Sequence, residues 1–197
     1  MEAKSSQIKM ALQITPRIVA MDGEVEPIGW QDEVFSILKA GQVRQIAYVP
    51  DAGHSHVIRS AIADPEMRAV VLTTEEEGVA SVCGAWLGGE RAVLLMQSSG
   101  VGNCINMLSL VQNCRFPFLT IVTMRGEWAE FNPWQVPMGK ATAASLELMG
   151  ITVLRAERPQ DVRDTVQAGF DLAFGSEQPV AVLLSQGLIG RKNWGVK

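Results

Sequence analysis

The sequence predicts an α/β fold, a three-layer sandwich in which helices cover both faces of a six-stranded parallel sheet. Three observations carry that prediction. Six short apolar runs alternate with helix-length segments, glycine and proline punctuate the boundaries, and Ala69–Leu72, Ala92–Met96 and Phe118–Val122 are continuously apolar rather than alternating. Strands separated by helices pair in parallel through right-handed crossovers. A strand without alternation is one covered on both faces.

Each element has its own signal. Trp30–Ala40 sets Trp30, Val34, Ile37 and Leu38 near helical spacing and stops at Gly41. Gln45–Val49 is an apolar run ended by Pro50, hence a strand, and a helix beginning near His54 reaches Ile62 or Ala63. Ala69–Thr73 is the second strand, with the helix Glu76–Leu87 behind it. Ala92–Met96 is the third strand, Gly102–Cys114 a helix and Phe118–Val122 the fourth strand. Val136–Met149 reads as a helix, with Pro137 tolerated in its first turn and Gly150 ending it. The strand Thr152–Leu154, the amphipathic helix Pro159–Phe174 and the strand Val180–Leu184 complete the series. Residues 1–28 carry weak periodicity and are expected to form an arm, leaving 29–197 as the domain.

Composition narrows the function. Seventeen basic residues against 21 acidic give a formal net charge of −4, with no basic stripe, so nucleic acid is not an expected partner. Met1–Gln7 is polar, Lys9 interrupts the residues after it, and no apolar run approaches membrane-spanning length. A cytoplasmic protein without membrane contact is expected. Cys83, Cys104 and Cys114 are odd in number, lack metal-type spacing and sit in apolar segments, so core packing is expected and no metal site.

In parallel sheets, ligands sit beyond the carboxyl ends of the strands. Here those ends are Val49–His54, Thr73–Glu77, Gln97–Asn103 and Thr123–Met138. Glu75, Glu76 and Glu77 open a helix, where the macrodipole favours carboxylates. From Gly78 to Gly89 no residue is charged and apolar residues surround the helix, as in a buried one. At least one of the three carboxylates is therefore expected in a dry site, where burial raises a carboxyl pKa. Helical periodicity does not choose among them.

Gln97–Asn103 joins a strand to a helix and contains Gly100 and Gly102, the position of a phosphate-binding turn. It is not a complete dinucleotide fingerprint, because Ile105 stands where the third glycine belongs and no acid ends the next strand. No residue from Ala92 to Cys114 is charged, and Asn103, Asn106 and Asn113 fall near one stripe, facing either a partner subunit or the domain itself. His54 and His56 follow Asp51 at a strand end. Either they begin a surface helix, or one binds a substrate carboxylate or shuttles a proton. Trp128–Met138 is rich in aromatics for a connection, which suits a functional or partner-bound loop. Arg125 and Lys140 flank it, facing an anionic group on the substrate or water.

Together these segments resemble the pyrimidine-binding domain of thiamine diphosphate enzymes. Glu75 to Gly78, a helix reaching Gly84, Ala85 and Trp86, then a strand and Ser99 to Asn103 carry the likeness. Acetolactate synthase-like members read His-Glu-Gln-Gly, with Gly-Tyr later in the helix; setting Ala85 and Trp86 on that pair places the catalytic glutamate at Glu76. Glu76–Gly78 and Leu94–Asn103 also look like segments of sulfopyruvate decarboxylase alpha subunits and of phosphonopyruvate decarboxylases. Two departures fall near the expected substrate pocket. Ser98 replaces an asparagine, and Asn132 to Gln135 differs from Glu-Pro-Gln-His.

The resemblance implies thiamine diphosphate as cofactor, with Glu76 bonded to N1′ of its aminopyrimidine and Gln97, Ser99, Gly100 and Asn103 around it. It implies a substrate side formed by Asp51, His54, His56 and Arg125, His54 being a second catalytic candidate. The family's Gly-Asp-Gly signature is missing, and Asp22-Gly23 stands in the wrong context. Diphosphate and Mg2+ would therefore be held by a separate beta subunit in a hetero-oligomer. Decarboxylation of a small 2-oxoacid is the implied reaction. A carboligase of the acetolactate synthase kind and a non-catalytic regulatory module are the alternatives.

Overall fold

The computed structural model describes residues 29–190; the N-terminal arm and Asp22-Gly23 lie outside them. In chain order the elements are α1 (Trp30–Ala40), β1 (Val43–Tyr48), α2 (Ser55–Ala63), β2 (Arg68–Val71), α3 (Glu75–Leu87), β3 (Arg91–Gln97) and α4 (Ser98–Cys104). Next come α5 (Leu108–Cys114), β4 (Phe118–Thr123), a single 3-10 turn (Pro133–Gln135), α6 (Val136–Leu148), β5 (Thr152–Ala156), α7 (Pro159–Gly175), β6 (Pro179–Leu184) and α8 (Gln186–Ile189).

The six strands form one parallel sheet in the order β2-β1-β3-β4-β6-β5. Register pairs Ile46 with Val93 and Leu95 with Ile121 across its middle. The run from β1 moves one way to β2, then back past β1 to β3, so the strand order reverses between β1 and β3. A crevice at such a reversal is where ligands bind.

Two apolar cores divide the side chains by sheet face. Val34, Leu38, Val57, Val166 and Phe170 from α1, α2 and α7 pack on Ile46, Val93, Leu95 and Ile121. Val79, Val82, Val101, Leu108 and Leu146 from α3, α4, α5 and α6 pack on Ala47, Leu94, Met96 and Val122. Alternation along β3 and β4 sends successive side chains to opposite cores, which is why their interiors are apolar but for Thr120, whose hydroxyl donates to Leu94 O (2.9 Å).

Four expectations need correction. β2 lies at the sheet edge with Val71 62% exposed, so its apolar run is not covered on both faces. α3 is not buried all round. Gly78, Val79, Val82 and Cys83 point inward, while Ala80, Gly84 and Leu87 are exposed. The helix expected over Gly102–Cys114 starts four residues earlier and breaks in two. Between α4 and α5 the backbone tightens to i→i+3 bonds, Ser109 N donating to Asn106 O (3.1 Å) and Leu110 N to Met107 O (3.0 Å). Two glycines and an asparagine in the seven residues of α4 give it little intrinsic helicity, so packing holds it. Cys83 and Cys104 are buried as expected, but Cys114 is exposed at the end of α5.

Candidate active site at the carboxyl edge

Asp51, just past β1, ties three strand ends together. Its Oδ2 accepts from Thr123 Oγ1 (2.6 Å) and from Gly53 N (3.1 Å), and its Oδ1 accepts from Gln97 Nε2 (3.1 Å). Gln97 Oε1 in turn accepts from Ser99 Oγ (2.9 Å). The structure thus joins Asp51, Gln97 and Ser99 in one hydrogen-bonded string across β1, β3 and β4. Thr123 completes it. Its polarity at the end of an apolar run was the available signal, lost when the strand is ended at Val122.

His54 precedes α2 and is 1% exposed. Its Nε2 lies 3.0 Å from Ile121 O and 3.3 Å from Met96 O. Two carbonyl acceptors require Nε2 to carry the hydrogen, so the Nε2–H tautomer is assigned; Nδ1 has no partner. Burial pushes the imidazole below 6.5, against the opposing pull of Asp51 and the two carbonyls. The ring is thus held against the backbone carbonyls of Met96 on β3 and Ile121 on β4. His56 is apart. Its Nε2 meets Asp32 Oδ1 at 2.6 Å between α2 and α1, on the layer opposite Asn103.

The acidic cluster splits by helix geometry. Because α3 begins at Glu75, positions 75, 79 and 82 form its inward stripe and Glu76 turns outward with Ala80. The dry carboxylate is Glu75, 8% exposed, not the Glu76 to which the resemblance assigns the chemistry. Glu75 Oε2 accepts from Asn103 Nδ2 at 2.9 Å. Its side chain lies so close to Gly100 that a Cβ there would stand 2.4 Å from Glu75 Cδ. Only glycine fits. Glu77 Oε2 accepts from Thr73 N (3.0 Å), and Glu76 is left exposed at the start of α3, beside Glu75.

Arg125 is withdrawn from the role of anion receiver. Its Nε and Nη2 form a fork on Glu130, at 2.7 Å and 2.5 Å, and its guanidinium lies over the Phe131 ring. Glu130 also accepts from Gly126 N, Asn132 N and Gln186 Nε2, and these partners, the arginine first, hold its carboxyl down at about 2 despite burial. Gln186 Oε1 accepts from Glu127 N and Trp128 N. Gln186 was missed because its partners lie on the connection after β4, and Glu130 because a fork at a five-residue separation follows no helical or strand period. This network pins the connection after β4 while leaving Trp128, Phe131 and Trp134 exposed.

Beside that connection lies an open groove of about 620 Å³ lined by Pro133, Trp134, Pro137, Met138 and Ala141. It adjoins α4, since Met138 Sδ is 3.1 Å from where a Cβ on Gly102 would be. Gly139 lets the start of α6 approach, its absent Cβ falling 2.1 Å from Arg125 O. Ser98 Oγ accepts from Arg125 N (3.0 Å), linking α4 to the same connection. Among the described residues no three His, Cys, Asp or Glu side chains cluster as metal ligands, and no helix is long and apolar enough to cross a membrane.

Comparison with known proteins meets this geometry. The family model for pyruvate flavodoxin/ferredoxin oxidoreductase, thiamine diphosphate-binding, matches residues 49–193. Sulfopyruvate decarboxylase subunit alpha of Methanococcus maripaludis is 36% identical over 154 residues, 78% of this chain and 92% of that protein. Phosphonopyruvate decarboxylase of Streptomyces viridochromogenes is 33% identical over 168 residues, covering 82% of this chain but 41% of that protein. The 2-oxoglutarate:ferredoxin oxidoreductase structure from Magnetococcus marinus superposes with a TM-score of 0.67 at 18% identity, over 86% of this chain and 34% of that one. The edge built from Asp51, Glu75, Glu76, Gln97 and Asn103 therefore sits on a chain that belongs to this thiamine diphosphate-binding family, alongside the sulfopyruvate decarboxylase alpha subunits.

Proposed function

We propose that this chain is the alpha subunit of a thiamine diphosphate-dependent 2-oxoacid decarboxylase, its active site completed by a separate beta subunit that holds the diphosphate and Mg2+. The observation that carries this reading is Glu76, an unburied carboxylate at the carboxyl edge, seated beside the locked Glu75–Asn103–Gly100 contact. Relatives of subunit length named sulfopyruvate decarboxylase subunit alpha support it.

The cofactor's aminopyrimidine needs a carboxyl partner and amide or hydroxyl groups at its edge, and Glu76, Gln97, Ser99 and Asn103 are of those types. When bound, thiamine diphosphate supplies a nucleophilic carbon and an electron sink for loss of carbon dioxide. Glu76 holds and returns a proton at the pyrimidine nitrogen. Covering by the partner excludes water from that carboxyl. Gln97 and Ser99, oriented by Asp51, position the ring. Glu75 fixes α3 against α4 and so sets where Glu76 stands.

The test is Glu76→Gln in the complex purified from its host through a tag on this chain. Turnover of 2-oxoacids falls by about 100-fold or more, while the partner still co-purifies and the melting temperature holds. Unchanged turnover sinks the catalytic assignment and favours a regulatory module. Product analysis separates decarboxylation, which releases an aldehyde, from carboligation.

A further inference from the structure

Resting on the decarboxylase reading, we infer that the substrate is a 2-oxoacid with an apolar, uncharged substituent, received by the groove of Pro133, Trp134, Pro137, Met138 and Ala141. A sulfonate or phosphonate entering this edge and met by this chain, rather than by the second subunit, would need a free cation among the described residues. Arg125 is committed in a fork to Glu130, whose carboxylate is satisfied by that arginine and three further donors. Arg155 is held by Glu127 and Glu157, and Arg158 by both oxygens of Asp161. His54 faces backbone carbonyls, and His56 is on the other layer with Asp32. Lys140, exposed on α6, is the cation nearest the groove in sequence.

The groove has the opposite character. All five lining side chains are apolar apart from the indole N–H, and a charged group desolvated there would lack a partner. Its walls are preset. Pro133 and Pro137 fix their own φ, and Asn132 Oδ1 accepts from Trp134 N at 3.1 Å to hold the turn. Trp134 is 86% exposed, an indole face waiting for contact. Through Gly102 and Met138 the groove borders the same α4 that carries Asn103 against Glu75.

The complex is assayed by carbon dioxide release with pyruvate, 4-methyl-2-oxopentanoate, phenylpyruvate, sulfopyruvate and phosphonopyruvate. The expected result is a kcat/KM for 4-methyl-2-oxopentanoate or phenylpyruvate at least about tenfold above that for sulfopyruvate. Trp134→Ala, which removes an exposed side chain and leaves the core intact, lowers the ratio of that preferred substrate to pyruvate by about tenfold. A preference for sulfopyruvate or phosphonopyruvate, lost in Lys140→Ala or not, overturns the inference and leaves the decarboxylase reading standing. An unaltered ratio in Trp134→Ala overturns the groove assignment. No turnover of any 2-oxoacid with thiamine diphosphate bound overturns the decarboxylase reading and this inference with it.

Discussion

Burial holds the His54 imidazole below its ordinary 6.5, even though Asp51 and the carbonyls of Ile121 and Met96 pull the other way. The unfolded chain binds a proton near 6.5 that the folded chain refuses. The stability this contributes is complete above that pH and is lost as pH falls through and below it, with a slope of at most about 1.4 kcal/mol per pH unit. His54→Gln keeps an N–H donor for Ile121 O but cannot titrate. Urea unfolding of the two proteins between pH 7.5 and 5.5 should therefore give a shallower loss for the variant, after a uniform cost of about 1 kcal/mol for imperfect replacement. Parallel curves would mean that the buried ring titrates normally. Asp51 belongs to the same scale of argument: three donors fix its carboxylate, and through Gln97 and Ser99 it sets groups in place that composition alone could not relate.

α3 is the element on which sequence and structure differ most instructively. Its outward stripe, Ala80, Gly84 and Leu87, carries no charge, and a Cβ on Gly84 would meet nothing within 4 Å. In the isolated chain Gly84→Ala should stabilise by about 0.5–1 kcal/mol, because glycine in a helix interior costs conformational entropy. That is a rise of about 1–4 °C in Tm for a domain of this size. If a partner packs closely on this face, the same methyl group weakens the complex. The paired measurement, Tm alone and Kd in complex, reads both, and unchanged values in each would remove α3 from the interface. β3 and β4 were legible because they are almost wholly apolar runs, β3 following Gly88-Gly89 and β4 following Pro117, each with a polar carboxyl end. Glu75 was not distinguishable from Glu76 because a one-residue shift in a helix start rotates every side chain by about 100°. The outward stripe of α3 was misread for a related reason: a helix face awaiting a partner and one covered by its own domain have the same composition. Gln186 escaped because its bonds to Glu127, Trp128 and Glu130 depend on bringing the ends of β4 and β6 together, and the Arg125–Glu130 fork because it is formed by the fold of an irregular loop.

Across the whole molecule the two helical layers differ in kind. α1, α2 and α7 carry Asp32, Glu33, Lys39, Arg59, Asp161, Arg163, Asp164 and Asp171, the pattern of a solvated surface. Beyond Glu77, α3 has no charged residue, and neither α4 nor α5 has any, although Ala80, Leu87, Gly102 and Asn106 are exposed; Lys140 and Glu147 on α6 are the charges at the far side of this layer. On the proposed reading, this uncharged stretch bordering Glu76 is the surface the second subunit would cover, since proton transfer at that carboxyl would require water to be excluded. Ala80 lies one turn beyond Glu76, and Ile62 is 63% exposed on α2 in the opposite layer. Ala80→Arg should leave the chain folded but raise the Kd for the partner by about tenfold or more, because an unpaired guanidinium would be desolvated on association. Ile62→Arg places the same charge where water remains and should change that Kd less than about twofold. Pull-down and sedimentation of the two variants decide it: equal loss would indicate a partner wrapping both layers, and equal retention would place the second subunit away from α3 altogether.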